Sequence, residues 1–241
     1  MKVKKFLKAE FLNGQTTFDW VFLASGLLLQ VFAIVYGFVT GTPDNTASII
    51  SALTGIVSVV LCAQGKISFY VFAFIQLFTY VFGVAVPNHL YGELWENACY
   101  FVTMVYGVYV WAKRYKLGDD TKPAEIKAKK LGGLGIAVSL VVLVVGTVSM
   151  TVVLKKTNDP VPFFDALTTV PAFMAQILLT FGYREQWVGW LIEDVTSVVM
   201  FIILGNWVMV AQYIFWTINC IYGWVKWSKS SNTIERSEAC V

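Results

Sequence analysis

The chain is poor in the groups on which most enzymes and metal proteins depend. It has one histidine, His89, among 241 residues, and only 14% of its residues are charged. Its four cysteines, Cys62, Cys99, Cys220 and Cys240, form no CxxC pair, and three lie inside apolar runs. That spacing argues against a zinc site or a disulfide framework. No HExxH, GxSxG or phosphate-cradling glycine motif occurs, so metalloprotease, serine hydrolase and ATP-driven readings lack their chemistry. A Schiff-base photoreceptor needs a lysine deep in a late apolar run, and Lys226 stands only at the edge of one. No catalytic set, metal or cofactor is expected. A net charge of +3 is too weak a bias for a nucleic-acid partner.

Apolar length is what the chain has in quantity. It is 57% hydrophobic and 16% aromatic, with a mean hydropathy of +0.67, against roughly 45–50% apolar for an average soluble domain. A bilayer core takes about 20 apolar residues of helix. Eight segments meet or approach that length: 20–39, 46–64, 67–86, 94–112, 131–154, 163–181, 187–204 and 207–225. They are separated by turn chemistry, as at Gly41-Thr42-Pro43-Asp44-Asn45, Gly65-Lys66, Pro87-Asn88, Asn158-Asp159-Pro160 and Gly205-Asn206. None alternates as barrel strands do. The expectation is an all-α membrane protein of eight transmembrane helices, with the lipid bilayer as its surroundings.

Charge sets the orientation. With the N-terminus in the cytoplasm, the inside segments hold sixteen of the Lys and Arg residues, and the outside loops only Lys155 and Lys156. The positive-inside bias therefore puts both termini in the cytoplasm and favours an even number of crossings. Trp20, Trp95, Trp111, Trp187, Trp207 and Trp227 stand near span ends, where aromatic belts form. The first span is too long for a signal-peptide core and reads as a retained helix. The basic stretch 113–130, with Gly118-Asp119-Asp120 and Pro123, reads as a solvated cytoplasmic loop rather than a lipid-binding element.

The fourth and eighth spans repeat one another. Tyr106-Gly107, Trp111 and Lys113 recur as Tyr222-Gly223, Trp227 and Lys229 at a shift of 116, with Tyr100 opposite Trp216. At a shift of 117, Gly65 meets Gly182, Tyr70 meets Trp187, Gln76 meets Glu193 and Thr79 meets Thr196. Four spans separate the equivalents, which preserves direction and makes the two units parallel. The division expected is an N-terminal tail and extra transmembrane helix at 1–45 and a first triple-helix repeat at 46–112. A basic loop and linker helix follow at 113–162, then a second triple-helix repeat at 163–228 and a cytoplasmic tail at 229–241. Such a 3+1+3 arrangement places a central cavity between the two triplets. Gly107 and Gly223 read as close-packing positions.

Polar groups stand where lipid is expected. Glu193 and Asp194 fall in the middle of the seventh span, where a charge costs at least ~2.5–3.5 kcal/mol on insertion scales. Helical spacing sets Trp190, Asp194 and Ser197 on one stripe, with Glu193 and Thr196 beside it. Gln76 and Tyr80 lie one turn apart on the third span, and Asn97 and Tyr100 lie on the fourth. Gln176 is on the sixth span, and Trp216 and Asn219 are on the eighth. Two readings stand. The carboxylates knit helices together through a partner such as Gln76 or Gln176, or the set lines a substrate cavity. In a cavity, indole and phenol faces stack on flat rings while amides and carboxylates fix hydroxyls and amides. A carboxylate facing an aromatic wall also suits a cationic heterocycle.

The run Gln186-Trp187-Val-Gly-Trp190-Leu-Ile-Glu193-Asp194-Val-Thr-Ser197, preceded by Ala175-Gln176-Ile-Leu-Leu, is similar to the PnuC family of bacterial vitamin transporters. Gly65-Lys66-Ile67-Ser68-Phe69-Tyr70, Tyr91-Gly92-Glu93 and the Asn97…Tyr106-Gly107…Trp111 run resemble that family's first repeat. The resemblance implies a SWEET-like fold, a bacterial inner-membrane location, and facilitated diffusion of nicotinamide riboside trapped by cytosolic phosphorylation. Thiamine and riboflavin are carried by relatives and stay open, as does a non-transporting sensory or structural role. A homo-oligomer is compatible with all of these. On this chain the resemblance implies a substrate held by the Trp190/Asp194/Ser197 face with Gln76, Asn97, Trp216 and Asn219. The extra first span is absent from some members of the family, and many carry an amide or another polar residue where Asp194 stands.

Overall fold

The computed structural model describes residues 2–12, 15–41, 45–86, 91–116, 125–126, 128–157, 159, 161–203 and 207–239. The turn residues Thr42-Pro43-Asp44, Pro87-Asn88, Asn158, Pro160 and Gly205-Asn206 lie outside the described residues, as do His89, loop positions 117–124 and 127, and Cys240. So do the side chains of Trp95 and Trp207. The chain divides into two compact units, Met1–Lys127 and Ala128–Val241.

The first unit begins with α1 (Lys2–Phe11), a short helix that the hydropathy pattern did not announce. Its inner side carries Glu10, fully buried, whose Oε2 accepts from the Ser68 backbone N–H at 2.9 Å. Lys66, also buried, donates to the Ala9 carbonyl at 3.0 Å. Burial pushes the Glu10 carboxyl above its ordinary range, against the pull of the Ser68 hydrogen bonds and of Lys66. Next comes α2 (Thr17–Val39), opened by a capping box in which Thr16 and Asp19 exchange hydrogen bonds. Only a stripe of α2 is buried (Asp19, Phe22, Gly26, Gln30 and Gly37), set against α3 (Thr46–Ala63). The rest is exposed apolar surface, as lipid contact requires.

The third expected span is not one straight α-helix. It runs as α4 (Phe69–Tyr80) and then widens into a π-helical stretch, Val81–Ala85. The cause is local. Asn45, which caps α3 by accepting from Ser48 N–H, also donates to the Gly83 carbonyl at 2.6 Å. That bond draws a carbonyl out of the helical ladder, and such a widened turn relieves the mismatch. A Cβ at Gly83 would meet the Ala47 Cβ at 2.3 Å, so only glycine fits. The fourth span is α5 (Tyr91–Arg114).

Part of the basic loop is structured, with buried residues, in an otherwise helical protein. Tyr115–Lys116 (β1) pairs antiparallel with Glu125–Ile126 (β2). Ile126 is buried and donates its N–H to the Gly65 carbonyl at 2.8 Å. In the second unit Lys129 donates to the Gly182 carbonyl at 2.8 Å and accepts from Arg184 N–H. Ala128 is buried as well. The alternation Glu125-Ile126-Lys127-Ala128-Lys129 is a strand pattern hidden in a basic stretch.

The second unit contains α6 (Gly133–Leu154), α7 (Pro162–Phe181), α8 (Gln186–Ile203) and α9 (Trp207–Ala239). α6 buries little beyond Thr147 and Thr151, and presents a broad apolar surface through Val141, Val145 and Val148. α7 starts with proline in its first turn, a position that lacks an N–H partner anyway. It packs along α8, and α8 along α9. α9 continues well past residue 225 through what read as a tail, where Arg184 Nη1 donates to the buried Ser231 hydroxyl at 3.2 Å. Among the described residues four helices, α2, α3, α6 and α7, are long and apolar enough to cross a membrane by length and composition.

Each unit carries a clasp of the same kind. Gly65 and Gly182 end α3 and α7 with φ of +71° and +70°, a conformation open to residues without a Cβ. In the first unit Tyr70 meets Trp111 edge-on at 5.4 Å, and a Cβ at Gly107 would lie 2.4 Å from the Tyr70 hydroxyl. In the second, Trp187 meets Trp227 edge-on at 5.9 Å, and a Cβ at Gly223 would lie 2.5 Å from the Trp187 ring. Glycine on one helix admits a large ring from its neighbour in both places.

Candidate functional site

The residues of the seventh-span stripe come together on α8, on the side covered by α9. Asp194 and Ser197 are almost fully buried, and Trp190 and Glu193 are half-buried. Ser197 points its hydroxyl at Glu193 Oε1, 3.4 Å away along the same helix. Thr196 turns back to its own helix and donates to the Ile192 carbonyl at 2.6 Å, so its hydroxyl is spent on backbone. From α9, Asn219 and Cys220 are buried, and Trp216 lies one turn before Cys220.

Asp194 takes its donor from α9. The Cys220 thiol donates to Asp194 Oδ2 at 3.0 Å. Sequence reasoning missed this residue, because a cysteine in an apolar span looks like filler. The helical register of α9 was the available signal, since Cys220 follows Trp216 by four residues. Trp216 holds its indole Nε1 buried without a hydrogen-bond partner, with its ring edge against Tyr213 at 5.0 Å. A buried donor left open costs stability unless something fills it. Gln176 is buried on α7, and its backbone carbonyl accepts from the Thr180 hydroxyl.

The first unit brings together Gln76 and Tyr80 on α4, both half-buried. A Cβ at Gly55 would stand 3.1 Å from the Gln76 amide, so the side chain lies across α3 at its narrowest point. Asn97 and Tyr100 are half-buried on α5, which meets α4 edge-on through Phe101 against Phe74 and Phe78. Among the described residues no cluster of three or more His, Cys, Asp or Glu could hold a metal ion. What the second unit's arrangement can do is bind. It offers carboxylate, hydroxyl, thiol and amide groups beside two indoles.

A family model described as nicotinamide mononucleotide transporter matches residues 45–229. The chain belongs to that family. The resemblance carried by Gln186–Ser197 and Gly65–Tyr70 is borne out, and the family is one of transporters by description. A nicotinamide riboside transporter PnuC of Haemophilus influenzae is 32% identical over 226 residues, covering 92% of this chain and 95% of the relative. One from Neisseria mucosa is 30% identical over 229 residues, covering 92% and 85%. A solved structure titled as the crystal structure of the vitamin B3 transporter PnuC superposes with a TM-score of 0.77 at 29% identity, covering 95% of this chain and 97% of that one. Family and apolar helices together make the chain a multi-pass membrane transporter of small molecules.

Proposed function

We propose that this protein takes up nicotinamide riboside by facilitated diffusion across the bacterial inner membrane, with cytosolic phosphorylation trapping the product. We further propose eight crossings with both termini in the cytoplasm, and a 3+1+3 parallel, SWEET-like duplication. The glycine–aromatic clasp at equivalent positions in each unit supports that duplication. The observation that carries the function is the buried Asp194 carboxylate, set beside Ser197 on α8 and facing Cys220 of α9. Nicotinamide riboside is a cationic pyridinium joined to a polyhydroxy sugar. A carboxylate in low dielectric attracts the cation, Trp190 and Trp216 offer π faces to it, and Asn219 and Ser197 suit ribose hydroxyls. Gln176, Glu193, Gln76, Tyr80, Asn97 and Tyr100 are proposed as further contacts along the substrate's path.

Charge favours the nucleoside over its phosphate ester. From Gln186 to Val225 there is no Lys or Arg, while Glu193 and Asp194 are both acidic. A phosphate would meet repulsion where a pyridinium meets attraction. Counterflow uptake of labelled nicotinamide riboside into proteoliposomes, competed by nicotinamide mononucleotide, thiamine and riboflavin, tests the reading. Competition by unlabelled nicotinamide riboside alone is expected. Stronger competition by either other vitamin reassigns the substrate, and no uptake at all sinks the transport reading.

A further inference from the structure

We infer that Cys220 is a positioning residue for substrate binding, through the thiol that holds the Asp194 carboxylate; the inference rests on Asp194 being a substrate contact. Asp194 is 3% exposed and Cys220 is 4% exposed, so this pair meets away from water. A buried carboxylate needs donors, and here the donor supplied by the neighbouring helix is a thiol at 3.0 Å. A thiol is a weak donor. The thiol fixes the direction of the carboxylate and leaves its remaining acceptor positions to a stronger partner.

A second observation at the same face points to a ligand. Trp216, one turn before Cys220 on α9, keeps its indole N–H buried and without a partner. α9 therefore presents two donors on successive turns, one engaged with Asp194 and one open. A guest bearing a positive centre and an acceptor oxygen answers the Asp194 carboxylate with the first and the Trp216 N–H with the second. Deleting the thiol lets the Asp194 side chain turn toward other donors, and the loss falls on affinity rather than on the rate of the loaded carrier.

The test measures transport KM and maximal rate for nicotinamide riboside in proteoliposomes of the full chain. Cys220→Ala is expected to raise KM about tenfold, the worth of one hydrogen bond to a charged group, with the maximal rate within about twofold. Cys220→Ser, nearly isosteric and again a donor, is expected to restore KM to within about threefold of wild type. It also keeps the question answerable if alanine disturbs the fold. In an Asp194→Asn background, Cys220→Ala is expected to change KM by less than about twofold, because the partners act as one unit. An unchanged KM in Cys220→Ala, a serine variant as poor as alanine, or an equal loss in both backgrounds overturns the inference. If Asp194→Asn itself binds normally, the reading beneath it fails. If Asp194→Asn is impaired while Cys220→Ala is neutral, only the role of Cys220 fails.

Discussion

The two units use one scaffold for different chemistry. Each ends its first core helix on a left-handed glycine, Gly65 or Gly182. Each then seats a ring, Tyr70 or Trp187, against a glycine and a tryptophan of its last core helix. At the equivalent mid-helix position the units part. The first has Gln76, neutral and laid across Gly55. The second has Glu193, followed by the buried Asp194. The packing contacts match because each is a steric fit between two partners. Polar mid-span residues differ more freely, as long as each finds its own donor or guest. Under the proposed function, this uneven charge would let the second unit grip a cation more strongly than the first.

That contrast can be broken at its strongest point. Asp194→Asn should lower substrate affinity about tenfold to a hundredfold, since a buried charge–charge contact is replaced by a neutral one. Gln76→Leu should cost only about threefold to tenfold, the value of a neutral hydrogen bond. Equilibrium binding to the purified variants compares the two, and a larger loss at Gln76 would reverse the assignment of roles.

The shared scaffold is tested next. Gly223→Ala forces a methyl against the Trp187 ring, with three ring atoms within 2.8 Å, and should destabilise by about 1–3 kcal/mol through overpacking. Gly107→Ala presses chiefly on the Tyr70 hydroxyl, with the ring carbons behind it at 3.1 Å and beyond, and should cost less, because fewer ring atoms are crowded. Thermal unfolding in detergent ranks them. Equal losses would mean that both rings are equally immovable.

The smallest expected effect lies in α1, which only the first unit has. The Glu10 carboxyl is raised by burial, so its protonated form is the one the folded state prefers. The stabilisation it brings is complete below the ordinary carboxylate range and fades as pH rises through the raised value. Amide exchange in α1, corrected for intrinsic rates, should therefore be slower near pH 5 than near pH 8, and Glu10→Gln should remove that difference. A wild-type helix equally protected at both values refutes the idea.

Much of the fold was legible because lipid imposes a simple rule: every span must be long and apolar. Thr46–Ala63, Gly133–Leu154 and Pro162–Phe181 begin and end within a few residues of their hydropathy limits. What escaped was held by contacts distant in sequence. α1 is too short and charged for a hydropathy window, and it docks through Glu10 on Ser68, 58 residues away. The π-helical stretch follows from an Asn45 bond to Gly83, and no local pattern encodes it. Of the candidate site, Asp194, Ser197 and Asn219 could be read as misplaced polar residues. Cys220 could not, since a thiol does not look out of place in an apolar helix.

By itself the sequence determined that this is a membrane protein of apolar helices, with acidic residues inside one apolar run. Hydropathy and charge are local properties that survive without knowledge of neighbours. Only the tertiary structure decided which neighbour answers each buried group: a thiol for Asp194, a backbone N–H for Glu10, a ring for Gly107 and another for Gly223. Those pairings depend on the register between helices, which packing sets and a linear string of residues does not record.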